Sequence, residues 1–206
     1  MAWSVESSPN TSRRPQRMEP TQTALIVPIP EAEEAVGGFR ASLDRAASWG
    51  VPAHVTVLYP FLPPQQINEQ ALAVLRETFA GIPRFDVALT HVDWFGDAVV
   101  WLAPQPDRPF RELTAAVWQQ FPEAPPYGGA HSDVVPHLTI GHDADKPVLS
   151  HAAETVAAHL PINAAVDRVR LIAGTPDVSP WRTVCEFPLG NPPPAATGTG
   201  LQAVSA

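Results

Sequence analysis

Cysteine is nearly missing from this chain. Cys185 is the single one, so no intrachain disulfide can form and no cysteine-rich zinc site can be built. That scarcity fits a reducing compartment, and a cytoplasmic location is expected. Clustered cations are missing too. The 13 Lys and Arg are scattered against 21 Asp and Glu, for a formal charge of −8 and a pI near 5.3. Gripping an extended nucleic acid takes a stripe of cations that neutralises many phosphates and releases their counterions, and this sequence has no such stripe. A small or terminal phosphate remains open as a substrate. No apolar run is long enough to span a bilayer, and the first twenty residues, with Arg13, Arg14 and Arg17, lack the apolar core of a secretory signal.

What is present suits one substantial domain or two small lobes, since 206 residues at 45% hydrophobic content can fill a core. Residues 1–20 are rich in Ser, Pro and Arg without periodicity and are expected to be a disordered tail, with Met18 as a candidate true start. Residues 191–206, beginning N-P-P-P-A-A-T-G-T-G, are expected to be a second tail. Between them, residues 21–190 alternate strand-like and helix-like segments. Expected strands are 23–29, 52–61, 84–94, 98–103, 135–142, 164–173 and 181–189; expected helices are 31–48, 67–79, 108–121 and 148–160. Ile67, Ala71, Leu72, Leu75 and Phe79 give the clearest amphipathic helix.

Two of these strands carry the same pattern. P-A-H-V-T-V-L-Y-P-F runs from Pro52 to Phe61, and V-P-H-L-T-I-G-H from Val135 to His142. Side chains alternate faces along a strand, so His54 and Thr56 share one surface while Val55 and Val57 point to the core; His137 and Thr139 share another, with Leu138 and Ile140 inward. Each motif strand is preceded by strand and helix and followed by helix and strand, as in a duplicated half-domain. Two halves related by a pseudo-twofold would bring like strands face to face across a groove. Roughly one His in thirty would fit the pattern by chance at average composition. Two fits among seven histidines, at matching places in a repeated order, point to a shared site.

The residue types suit phosphodiester hydrolysis without a metal. One group must take a proton from the attacking water and another must give one to the leaving oxygen. Imidazole, titrating near 6.5, can do either near neutral pH, and Thr hydroxyls can donate to the nonbridging oxygens.

H-V-T-V at 54–57 and H-L-T-I at 137–140 resemble the paired His-x-Thr/Ser-apolar signature of the 2H phosphoesterases, which include the 2'-5' RNA ligase-like proteins. The resemblance extends over about residues 22–190 and includes Pro136, the Val99-Val100-Trp101-Leu102 strand and the closing 181–189 strand. It implies a bilobed α+β fold, two antiparallel sheets flanking a central groove with helices outside. It also implies metal-independent action on 2',3'-cyclic phosphates or 2'-5' linkages, with no cofactor. His54 and His137 carry over as the acid and base pair, their individual roles open, and Thr56 and Thr139 as phosphate binders. The expected partner is a small nucleotide or RNA-end phosphodiester, acted on by a monomer. Hydrolysis should outrun ligation in water. The alternative is a non-catalytic module that holds a phosphorylated nucleotide in the same groove.

Other residues favour blander roles. His142 is expected at the surface or in a loop, and His151 and His159 on the surface of a helix. His91 could approach the groove. His131-Ser132-Asp133 imitates a hydrolase triad, but adjacent residues rarely converge on one point. Gly37-Gly38 lacks the Lys and Ser or Thr of a phosphate loop. Trp94, Trp101 and Trp181 are expected in the core or groove wall, Tyr59 and Tyr127 could touch a base, and Arg182 could assist the phosphate. The motif histidines alone are too few for a metal site.

Overall fold

The computed structural model describes residues 19–130, 134–176 and 179–190. Residues 1–18 of the first expected tail, Met18 included, all of the second tail and the 131–133 tripeptide lie outside the described residues. The elements in order are β1 (Gln22–Pro28), α1 (Glu33–Leu43), α2 (Arg45–Ser48), β2 (His54–Leu58), α3 (Glu69–Ala80), β3 (Phe85–Phe95), β4 (Val99–Gln105), α4 (Arg108–Gln120), β5 (Leu138–His142), α5 (Lys146–Ala157), β6 (Ile162–Val166), β7 (Arg168–Thr175) and β8 (Ser179–Pro188).

These strands make two four-stranded antiparallel sheets, ordered β2-β1-β7-β8 and β5-β4-β3-β6. The α+β two-sheet architecture is the expected one. Its lobes are not consecutive halves of the chain, however. β3 ends the first half of the sequence yet pairs with β4 of the second, and the single strand expected over 164–173 is two strands. They part at Asp167: β6 pairs with β3 in one sheet and β7 with β1 in the other. Alternation continues through Val166-Asp167-Arg168 without Gly or Pro, so nothing local marks the change of partner.

The helix expected over 31–48 also divides. Asp44 takes an extended conformation (φ −130°, ψ 113°), and its carboxylate accepts from the Ala46 N–H at the start of α2. In α3 the side chain of Asn68 caps the Ala71 N–H, leaving Ile67 just outside, while Ala71, Leu75 and Phe79 form the buried stripe.

Unbroken burial from Thr23 to Val27 shows that β1 is covered on both faces. Leu25 and Val27 join a main core with Val55, Val57, Leu75, Leu102, Phe110, Leu138 and Ile140. Ala24 and Ile26 belong to a separate apolar cluster with Val51, Ile172 and Trp181.

Helices cross between lobes. From the first half of the chain, α1 packs on β5; from the second, α4 packs on β2. The Thr114 hydroxyl donates to the Val57 carbonyl (2.8 Å), satisfying an acceptor on a strand that has a ladder partner on one side only. Gly141 admits α1 against β5, since a Cβ there would sit 2.7 Å from Leu43 Cβ.

Candidate active site

β2 alternates as its sequence requires. Val55 and Val57 are buried in the main core, whereas His54 and Thr56 are only half-buried on the other face. The second motif repeats this, with Leu138 and Ile140 fully buried and His137 and Thr139 half-buried. One detail differs from expectation. The second strand begins at Leu138, not Val135, so His137 stands at its lip, following Pro136, which has no N–H to continue a ladder.

Each motif strand is the outer strand of its own sheet, and the two meet where the lobes join. The imidazoles are close enough that charge on His137 bears on the titration of His54. Both rings are held in the same way. His54 Nδ1 lies 2.8 Å from the Pro52 carbonyl oxygen and His137 Nδ1 2.7 Å from that of Val135, each two residues upstream. A carbonyl can only accept, so Nδ1 carries the hydrogen in both rings and Nε2 keeps the lone pair.

The electrostatic surroundings are unequal. Burial first, then the Arg40 guanidinium, hold His54 down at about 4; the bond to Pro52 and the Asp44 carboxylate oppose them, and His137 adds a further downward push. Burial also lowers His137, opposed by the Val135 carbonyl. Arg40 is 2% exposed and pairs with Asp44 through Nε and Nη2, both at 2.9 Å, while Nη2 also reaches the Val51 carbonyl at 3.2 Å. The Glu33 carboxylate accepts from the Ala53 N–H (2.5 Å). Val51 and Ala53 flank Pro52, so the peptide that orients His54 is tied on both sides. Sequence reading missed Arg40 and Asp44. The available signal was an Arg four residues after Val36, on the apolar stripe of α1, where a cation needs a buried partner.

Aromatic side chains wall the site. Phe95 meets His137 edge-on at 4.9 Å and stacks on Trp101, which lies 5.8 Å from the same imidazole. Phe95, one residue past the strand expected over 84–94, ends β3 instead. A bulge between Leu89 and His91 shifts the alternation of β3, so that Leu89 is buried while His91, Asp93 and Phe95 are exposed together. His91 thus shares the face of Phe95. On the first lobe, Trp49, Tyr59 and Trp181 line a cavity of about 240 Å³ with His54, Thr56, Ala24, Ala46, Ile26, Val51 and Ile172.

The remaining candidates divide. His142 is not a loop residue: it ends β5, half-buried, with Nδ1 2.8 Å from Asp143 and Nε2 3.5 Å from Asp44. His151 and His159 are exposed as expected, His159 just beyond the end of α5. Arg182 is exposed and adjacent in β8 to Trp181, so it points away from the cavity. Trp94 packs on the main core. Among the described residues, no three His, Cys, Asp or Glu gather as metal ligands, and no helix is long and apolar enough to cross a membrane.

Known proteins share this architecture. The family model described as the 2'-5' RNA ligase superfamily matches residues 28–177. Among solved structures, E. coli LigT complexed with 3'-AMP superposes with a TM-score of 0.57 at 20% identity, covering 83% of this chain and 99% of LigT. LigT complexed with NADP+ gives 0.56 at 23%, covering 83% and 99%. The protein TT0787 of Thermus thermophilus gives 0.51 at 16%, covering 82% and 98%. At these identities the likeness is one of fold. No curated protein matches the chain.

Proposed function

Because the chain belongs to the 2'-5' RNA ligase superfamily, we propose that it is a phosphodiesterase that hydrolyses a 2',3'-cyclic phosphate or a related small phosphodiester by proton transfer through His54 and His137, without a metal. The observation that carries this reading is the matched pair of imidazoles, each clamped at Nδ1 by an upstream carbonyl with Nε2 left for chemistry. One neutral Nε2 takes a proton from water as its oxygen bonds to phosphorus. The other, protonated, gives its proton to the ribose oxygen as the P–O bond breaks. Water is consumed, and the two rings exchange protonation states and reset through solvent. Thr56 and Thr139 donate to the nonbridging oxygens. Burial first, and then the Arg40 cation, keep His54 unprotonated, which suits it as the base and leaves His137 as the acid.

A small nucleotide is the favoured substrate class, because the chain lacks a basic stripe and E. coli LigT has been crystallised with 3'-AMP and NADP+. The test is turnover of a 2',3'-cyclic nucleotide. His54→Ala and His137→Ala should each lower kcat by about a hundredfold or more with the circular dichroism of the folded protein retained, and chelator should leave wild-type turnover unchanged. Activity retained in either variant refutes the assigned roles, chelator-sensitive turnover points to a metallohydrolase, and ligand binding without turnover at any pH identifies a non-catalytic module.

A further inference from the structure

Resting on the reading just given, we infer that Arg111 is a positioning residue for His137, as Arg40 is for His54: each arginine holds the peptide whose carbonyl orients the imidazole. The two halves place these groups in the same order. Arg40 Nη2 donates to the Val51 carbonyl, three residues before His54, at 3.2 Å, and Arg111 Nη1 donates to the Val134 carbonyl, three residues before His137, at 2.8 Å. The next carbonyl along, that of Pro52 or Val135, takes the ring Nδ1–H. Each guanidinium is itself fixed through Nε by an aspartate four residues away, Asp44 at 2.9 Å and Asp107 at 2.7 Å. The helices repeat the arrangement. α1 precedes β2 and packs on β5, while α4 precedes β5 and packs on β2, so each supports one motif strand and holds the approach to the other.

The second motif leans on its arginine more heavily than the first. Before His54 the Ala53 N–H donates to Glu33, which gives that peptide a second tie. The matching residue before His137 is Pro136, which has no N–H to donate. Val134 and Val135 also stand ahead of β5, whose pairing with β4 begins at Leu138, so ladder bonds do not fix the carbonyl that orients His137. A carbonyl selects the Nδ1–H form of an imidazole only while it stays in place, and a side chain that holds the carbonyl therefore sets which nitrogen is free for chemistry. The two arginines differ in one respect. Arg40 is buried and adds to the lowering of His54, whereas the Arg111 side chain is 39% exposed, where solvent screens its charge. His137 is lowered chiefly by burial. Arg111 thus acts on His137 by orienting it.

The test reads which ring nitrogen carries the hydrogen, by nitrogen NMR of the histidine side chains at about pH 8, where both motif imidazoles are neutral. In the wild type His137 should be in the Nδ1–H form. Arg111→Met, which keeps the length of the stem and removes the donors, should move His137 at least partly to the Nε2–H form while His54 stays as it is. It should also lower kcat for a 2',3'-cyclic nucleotide by about tenfold or more, with KM changed by less than about twofold. Arg111→Lys, which can still donate to a carbonyl, should restore much of both. Arg108→Ala, on the same helix, exposed and paired with Glu112, should change neither. A wild-type His137 in the Nε2–H form, an unchanged His137 in Arg111→Met, or an equal change at His54 overturns the inference and leaves the phosphodiesterase reading intact. Loss of the fold in Arg111→Met marks a structural residue and overturns it as well. If no cyclic nucleotide turns over, the phosphodiesterase reading fails and the nitrogen spectra alone decide the role of Arg111.

Discussion

The Pro52 and Val135 carbonyls fix which nitrogen of each imidazole is free, but burial decides when that nitrogen is charged. The unfolded chain protonates His54 near the ordinary 6.5, and the folded chain only near 4. Between those values the unfolded state binds the extra proton. Stability is therefore fully present above about pH 6.5, falls as the pH drops towards 4, and levels off below. The loss from this group is at most about 3 kcal/mol, and calorimetry from pH 7 to 4 on the wild type and His54→Gln should show a shallower decline in the variant. On the proposed mechanism the same displacement sets the pH profile of turnover. With His54 as base and His137, also lowered, as acid, kcat/KM for a cyclic nucleotide should be greatest below pH 6.5. A bound phosphodiester anion favours protonated imidazole, so the kcat profile should lie at higher pH. A kcat/KM maximum above pH 7 would exclude this assignment. The four motif residues were legible because alternation and repetition are local properties of sequence. Arg40, Asp44, Trp49 and Phe95 were not, since their roles depend on which distant backbone they meet: the Val51 carbonyl for Arg40, the His137 ring for Phe95 across a bulge that no residue type announces.

At the scale of elements, the site depends on two outer strands, each packed by a helix from the opposite half of the chain. The approach of α1 to β5 is close enough that Gly141 has no room for a side chain, with Leu43 Cβ 2.7 Å and Leu149 Cδ2 3.3 Å from the position a Cβ would take. Leu43 is attached to a helix and cannot swing aside, so Gly141→Ala must push α1 from β5. We expect a loss of about 1–3 kcal/mol in denaturant titration, with lower kcat, because Asp44 follows Leu43 and helps anchor the peptide that orients His54. An unchanged denaturation midpoint would show that the helix yields freely. Most strands and helices were legible from periodicity and from Pro and Gly punctuation. The divisions at Asp44 and Asp167 were not: a capping carboxylate after a regular helical run and a change of ladder partner both leave the local hydrophobic pattern intact.

For the whole molecule, duplication and charge balance bear on substrate size. Crossing helices and exchanged strands bind the two lobes into one unit in which a single pair of motif strands meets, enough to hold one phosphorus between two imidazoles. The cations do not extend that grip. Arg168 and Arg170, in the sheet that carries β2, are paired with Asp167 and Glu186, and Arg40 is buried against Asp44. An enzyme that neutralises one phosphate releases about one condensed counterion, whereas a long strand gripped at several phosphates releases several. The dependence of log KM on log salt should therefore be shallow, with a slope near 0.7, so that KM for a cyclic nucleotide rises only about threefold between 50 and 200 mM salt. An oligonucleotide ending in a cyclic phosphate should give the same slope, because among the described residues the arginines of the sheet that carries β2 are already paired with carboxylates. A slope of about 3 or more for the oligonucleotide would mean that four or so phosphates are held at once, and the substrate would then be an extended RNA despite the acidic balance of the chain.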